Sequence, residues 1–97
     1  MKKLALPRDE QTWQYLCRNK LEQMLLQYNQ NPSIQPPLSE HIDLVEDLQF
    51  DSLTMMTFIV QMEEEFDVVV GGKEIADNVL KTFSRLLHFV IGNSTQG

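Results

Sequence analysis

The chain has a single cysteine, Cys17, in 97 residues, which excludes an internal disulfide and any metal site built on several cysteines. Cys17 reads as a small core residue in a reducing compartment. Basic residues are also scarce: eight lysines and arginines stand against fourteen acids, for a formal charge of −6. A surface of that sign repels phosphate backbones and anionic lipid heads, so nucleic acid is not an expected partner. Basic faces of other proteins are drawn to it by the same field. Long apolar runs are missing as well. No stretch approaches the roughly 18 apolar residues of a membrane span, and the start, "MKKLALPRDE", contains no secretory h-region. The expectation is a soluble, cytoplasmic protein that does not insert into membranes.

The length sets a further limit. A chain of 97 residues makes one domain that buries roughly 60 to 65% of its unfolded surface, too little core to wall an active site easily. A carrying or binding role is favoured over catalysis. The expected domain is 1–97, with an ordered core over about 8–91 and a frayed tail over 92–97 ending in "NSTQG".

Periodicity then supplies the elements. Between Asp9 and Tyr28 the apolar positions Trp13, Leu16, Cys17, Leu21, Met24, Leu25 and Tyr28 recur at steps of three and four, as on one face of an α-helix. Pro7 precedes this segment and "NQNPSIQPP" follows it, so both ends carry breakers. Residues 29 to 51 read as a long loop. Pro32, Pro36 and Pro37 favour extended backbone there, while Ile34, Leu38, Ile42, Leu44 and Leu48 are spaced as anchors to a core.

A second helix is expected from Ser52 to Phe66, with Leu53, Met56, Val60 and Glu63 or Glu64 on one stripe and Ile59, Met62 and Phe66 broadening it. On this reading Leu53 is the first core-facing residue, and Ser52 is the N-cap whose hydroxyl satisfies free backbone N–H groups. Gly71-Gly72 then breaks the chain and leaves room for a short turn or helix over Lys73 to Asp77. Val68 to Val70 has strand composition but no partner strand. The last helix starts after Thr82 as N-cap, carries Phe83, Leu86, Leu87 and Val90 on one face, and ends at Gly92. The fold class is therefore all-α: three longer helices and one short one in a small four-helix bundle, with a long loop between helices one and two.

The segment "LVEDLQFDSL" followed by "MMTFIVQMEEEF" resembles the modification site of acyl and peptidyl carrier proteins. The resemblance rests on Asp51-Ser52-Leu53, on Leu44 and Leu48 upstream, and on the close of helix two at Glu63-Glu64-Glu65-Phe66. It extends to "LKTFSRLLHFV", which looks like the family's last helix, and so covers nearly the whole chain. It implies a free-standing, monomeric carrier with the acyl-carrier-like bundle fold. The implied cofactor is 4'-phosphopantetheine, derived from coenzyme A and bound covalently to Ser52, with acyl or aminoacyl groups carried as thioesters on its thiol. It implies that Asp51 supports attachment, helping to hold the metal used during transfer, and that Leu53 is a partner contact. No catalytic residue and no resident metal are implied. The implied partners are a phosphopantetheinyl transferase, an acyl- or aminoacyl-loading enzyme, and synthase or transferase enzymes.

Several positions depart from the family's pattern. Thr54 and Thr57 stand where acids are common, and Met55, Phe58 and Ile59 make helix two unusually apolar, so an exposed hydrophobic patch on its outer face is expected. Recognition altered in this way favours a specialised lipid, polyketide or nonribosomal peptide pathway. Gly71-Gly72 replaces an isoleucine-proline-like turn, which implies a loosely held third helix. Five methionines suit an adaptable core. Two rivals remain: an unmodified helical interaction module with the same fold, and a small hydrolase using Ser52. The hydrolase needs a base, yet His41 and His88 lie far from Ser52 in sequence and no G-x-S-x-G is present.

Overall fold

In the computed structural model, which describes residues 10–93, four helices follow one another: α1 (Glu10–Tyr28), α2 (Ser52–Phe66), α3 (Gly72–Ala76) and α4 (Phe83–Asn93). Helix α1 packs against both α2 and α4. Its inner face is Cys17, Leu21, Met24 and Leu25, all buried, at the i, i+4, i+7, i+8 spacing that one helix face requires. Leu16, expected on that face, is exposed, because it lies one residue round the helix from Cys17. Asp9, the expected first residue of this helix, lies outside the described residues.

Helix α2 departs from the expected stripe. Its buried residues are Phe58, Met62 and Phe66, an i, i+4, i+8 row, with Met55 packed partly against the core. Leu53, Met56 and Val60 point the other way and are exposed. The sequence admits two apolar rows about half a turn apart, and the larger ring of Phe58 takes the inside. Phe58 is fully buried and meets Tyr28 edge-on at 6.0 Å between ring centroids and Phe50 at 5.5 Å, a preferred arrangement for aromatic pairs. The helix stops at Asp67, whose backbone is left-handed (φ 56°) and whose N–H returns to the Glu63 carbonyl.

The long loop is ordered for the anticipated reason: Leu38, Ile42, Leu44 and Leu48 are buried, and each anchor of that kind stabilises the fold by about 1.5–3 kcal/mol on full burial. Phe50 is buried as well, an anchor the spacing argument omitted. Hydrogen bonds complete the tether. Residues 40–44 run antiparallel to the approach to α4, through Ser84 N–H to the Glu40 carbonyl at 2.8 Å, Phe83 N–H to that of Ile42 at 3.0 Å and Leu44 N–H to that of Lys81 at 3.0 Å. Gln30 N–H donates to the Leu48 carbonyl at 3.0 Å, and Asn31 Nδ2 to that of Asp47 at 2.7 Å. Asp43 holds the turn between them: its Oδ1 accepts the Val45 and Glu46 N–H groups at 2.9 and 2.8 Å, and its Oδ2 takes Lys81 Nζ at 3.1 Å.

Val68 to Val70 forms no strand. Val68 drops into the core and Val69 is exposed, while Glu63 Oε2 accepts the Val70 N–H at 2.8 Å and so joins the end of α2 to the next turn. In α3 no residue is buried, and its start is held by Glu74 Oε1 accepting the Gly71 N–H at 2.8 Å, with no side chain on Gly71 to return the bond. Thr82 caps α4 as expected, accepting the Arg85 N–H on Oγ1 at 3.2 Å. Helix α4 continues through Gly92 to Asn93, so two residues assigned to the tail are helical; 94–97 lie outside the described residues. No helix among the described residues is long and apolar enough to cross a membrane.

Candidate functional site

The long loop delivers the chain to α2 in extended conformation at Asp51 (φ −90°, ψ −178°). There Asp51, not Ser52, is the N-cap: its Oδ1 accepts the Thr54 N–H at 2.8 Å. The correction has a geometric reason. A cap residue must leave the helix with non-helical backbone angles while its side chain reaches back two or three residues, and Asp51 meets both conditions. Ser52 is already inside the first turn. Its side chain is exposed, and among the described residues its hydroxyl has no hydrogen-bond partner.

The surroundings of Asp51 and Ser52 are built by residues the sequence reading did not single out. Thr54 Oγ1 accepts from Gln30 Nε2 at 2.7 Å, which ties the first turn of α2 to the chain just after α1. The Asp51 carboxyl is held below the usual carboxylate range, chiefly by the Thr54 N–H it accepts, and is therefore an anion at neutral pH. Its signal was available, since an aspartate three residues before a threonine N–H fits the cap preference as well as a serine does.

Beside Ser52 the surface is hollowed between the loop and α2, with walls from Val45, Phe50, Asp51, Ser52, Met55 and Met56. A second hollow shares Val45 and Met55 and leads on to Ile75 and Leu80, with Asp43 and Lys81 at its polar edge. His41 and His88 are both exposed, and neither lines the hollow at Ser52.

Of the residues named in advance, Asp51, Ser52 and Leu53 stand together at the exposed start of α2. Leu53, anticipated as core-facing, instead points to solvent with most of its side chain exposed. The expected apolar outer face exists, but not from the expected residues. Phe58 is buried, Met55 and Ile59 are half-buried, and the exposed apolar side chains are Leu53, Met56 and Val60. Of the acidic run that closes α2, Glu63 is engaged by Val70 and Glu65 pairs with Lys20 at 3.0 Å, so Glu64 alone of the three makes no ion pair or hydrogen bond among the described residues. Met24 and Met62 serve in the core, whereas Met56 does not.

The site fits a covalently bound phosphate ester. The Ser52 oxygen is accessible and uncommitted, and among the described residues the Ser52 and Leu53 N–H groups donate to no partner. Free N–H groups at a helix start, with the helix dipole behind them, favour a negatively charged substituent there.

The fold is thus a four-helix bundle with an exposed serine as the first residue of its second helix. The sequence model of the phosphopantetheine attachment site family matches residues 32–90, more than half of the chain, and the chain belongs to that family. The cofactor of this family is phosphopantetheine. A protein named acyl carrier protein from Kocuria rhizophila (strain ATCC 9341 / DSM 348 / NBRC 103217 / DC2201) is 42% identical over 45 residues, covering 46% of this chain and 53% of the relative. The chain thus spans about half the length of that curated relative.

Proposed function

We propose that Ser52 Oγ is the attachment point of the phosphopantetheine arm and that the protein is an acyl carrier, serving partner enzymes and catalysing nothing itself. The observation that carries this reading is the free Ser52 hydroxyl, released from capping by Asp51 and exposed in the first turn of α2. In attachment, Ser52 Oγ forms a bond to the phosphorus on the pantetheine side of coenzyme A. The pyrophosphate bond breaks, the adenosine bisphosphate leaves, and the transferase takes the hydroxyl proton. Asp51 offers an exposed anionic carboxylate one residue before Ser52, which suits a role in holding the divalent cation of the transfer reaction.

The bound arm supplies a thiol on which acyl or aminoacyl groups are held as thioesters. This chain's part is to hold the arm's root on a rigid helix and to keep its cargo at high effective concentration for each enzyme that docks. The hollow lined by Val45, Phe50, Met55 and Met56 gives the arm an apolar wall beside its root. The partners are a phosphopantetheinyl transferase, a loading enzyme for acyl or aminoacyl groups, and synthase or transferase enzymes that process the cargo. Thr54 and Thr57, where charge is expected for a general fatty-acid carrier, favour a specialised lipid, polyketide or nonribosomal peptide pathway. The single buried thiol of Cys17 suits the cytoplasm.

The exposed row of Leu53, Met56 and Val60 also favours a second reading, an unmodified interaction module. Peptide mapping separates the two. After incubation with coenzyme A, magnesium and a promiscuous transferase, the peptide containing Ser52 should carry one phosphopantetheine. Modification at another serine, or at none, contradicts the attachment assignment.

A further inference from the structure

The chain just after α1 grips the segment that carries Asp51 and Ser52 on both sides. Asn31 Nδ2 donates to the Asp47 carbonyl at 2.7 Å, and the Gln30 N–H to that of Leu48 at 3.0 Å. Beyond the segment, Gln30 Nε2 donates to Thr54 Oγ1 at 2.7 Å. The grip is itself braced: Asn29 Oδ1 accepts the Asn31 N–H at 2.9 Å, and Asn29 Nδ2 donates to the Asn31 carbonyl at 2.9 Å. Between these two holds the chain bends at Gln49, whose backbone is left-handed (φ 62°), a conformation that side chains other than glycine keep only where their neighbours impose it.

Thr54 links Gln30 to the site. Its backbone N–H is the one that Asp51 Oδ1 accepts at 2.8 Å. Its hydroxyl oxygen takes the Gln30 amide as a donor and keeps its own proton for the Asp51 carboxylate. The Thr54 N–H first, then the Thr54 hydroxyl, and with them the Gln30 amide, hold that carboxyl below the usual range. An ionised acid at position 54 has no proton to offer and sets a second negative charge beside the first. Threonine in its place completes a chain of donors, Gln30 to Thr54 to Asp51, that ends one residue before Ser52.

We infer that Gln30 is a positioning residue for attachment of the arm: acting through Thr54, it keeps the Asp51 carboxylate at a fixed place beside the free Ser52 hydroxyl. The inference rests on the reading of Ser52 as the attachment point and adds to it a residue from outside α2. The Gln30 side chain is exposed, and the bond from its backbone to Leu48 does not depend on that side chain, so its loss leaves the core packed. What is lost is the fixed relation between two groups that meet one reacting centre. Misplacement by about 1 Å is enough to slow a reaction that depends on position by about 100-fold.

The test follows attachment by a promiscuous phosphopantetheinyl transferase, through the rate of mass gain from coenzyme A, in Gln30→Met, which keeps the length of the side chain and removes its donor. Its kcat should fall by about tenfold or more, with KM for the carrier within about twofold and the thermal midpoint unchanged. Thr54→Val should lose as much, and the double variant no more than either single one, because the two residues act through one link. Hydrogen exchange on the unmodified protein gives a reading independent of the transferase. In Gln30→Met the Thr54 amide should exchange about tenfold faster while the Phe58 and Val90 amides keep their rates. An unchanged kcat or an unchanged Thr54 exchange rate overturns the assignment, as does a loss that adds in full to that of Thr54→Val. A lower thermal midpoint with all three amides faster would make Gln30 a structural residue alone and overturn it too. No mass gain in folded wild type contradicts the carrier reading itself, and this inference with it.

Discussion

Asp51 Oδ1 accepts the Thr54 backbone N–H at 2.8 Å, and this one bond sets the roles of two consecutive residues. It fills the cap with a carboxylate and leaves the Ser52 hydroxyl free.

Stability measurements should separate Asp51 from Ser52. Loss of a cap costs about 1 kcal/mol, whereas removal of an exposed, unpartnered hydroxyl stays within about 0.5 kcal/mol. In urea unfolding, Asp51→Ala should lower the midpoint clearly and Ser52→Ala should barely move it. The reverse order would restore the serine as the cap.

The acid side of the stability curve should depend on Asp43. Its carboxyl is held below the usual range, first by the Glu46 N–H, against some opposition from burial, and with help from Lys81. Asp51 is lowered in the same direction. A pKa depressed by folding stabilises the native state above the ordinary aspartate value of about 3.9, and that contribution is lost as pH falls through the lower folded value. Wild-type stability should thus decline between about pH 5 and about pH 2, and Asp43→Asn should decline less steeply over the same window. Equal slopes would remove Asp43 from this account.

The inside and outside of α2 should respond in opposite ways to substitution. Phe58→Ala, at a fully buried site that also carries two ring contacts, should cost about 3–5 kcal/mol, enough to unfold a marginal domain. Val60→Asn should leave the melting curve in place, within about 0.5 kcal/mol. Melts followed by circular dichroism decide between this assignment and the opposite stripe.

Arg18 joins α1 to α4 and the loop. Its guanidinium lies 5.2 Å from the centre of the Phe83 ring, pairs with Glu40 at 3.3 Å and donates to the Leu38 carbonyl at 3.3 Å. Lysine keeps the charge but not the planar fork that makes these contacts together. Arg18→Lys should destabilise by about 0.5–1 kcal/mol, read as a lower urea midpoint with an unchanged slope.

The helices, the anchoring of the long loop and the cluster at residues 51–53 were legible in the sequence because each depends on local chemistry: breakers at helix ends, spacing of apolar residues, and the Asp51-Ser52-Leu53 signature. The facing of α2 was not. Leu53, Met56 and Val60 form as good an apolar row as Phe58, Met62 and Phe66, and only the fit of the Phe58 ring between Tyr28 and Phe50 chooses between them. That choice is tertiary. The cap was misassigned for a related reason, since aspartate and serine cap equally well and the deciding factor is where the extended backbone ends. Phe50 was overlooked because a single aromatic next to an acidic turn has no period to reveal it. Gln30 could not have been placed at all, because its bond to Thr54 spans two elements.

The measurement that bears most directly on the central claim is the intact mass of the purified protein, before and after incubation with coenzyme A, magnesium and a promiscuous phosphopantetheinyl transferase, beside Ser52→Ala. The account predicts a gain of one phosphopantetheine in the wild type and none in the variant, both folded. An unchanged wild-type mass in protein not already modified, or an equal gain in Ser52→Ala, would contradict it.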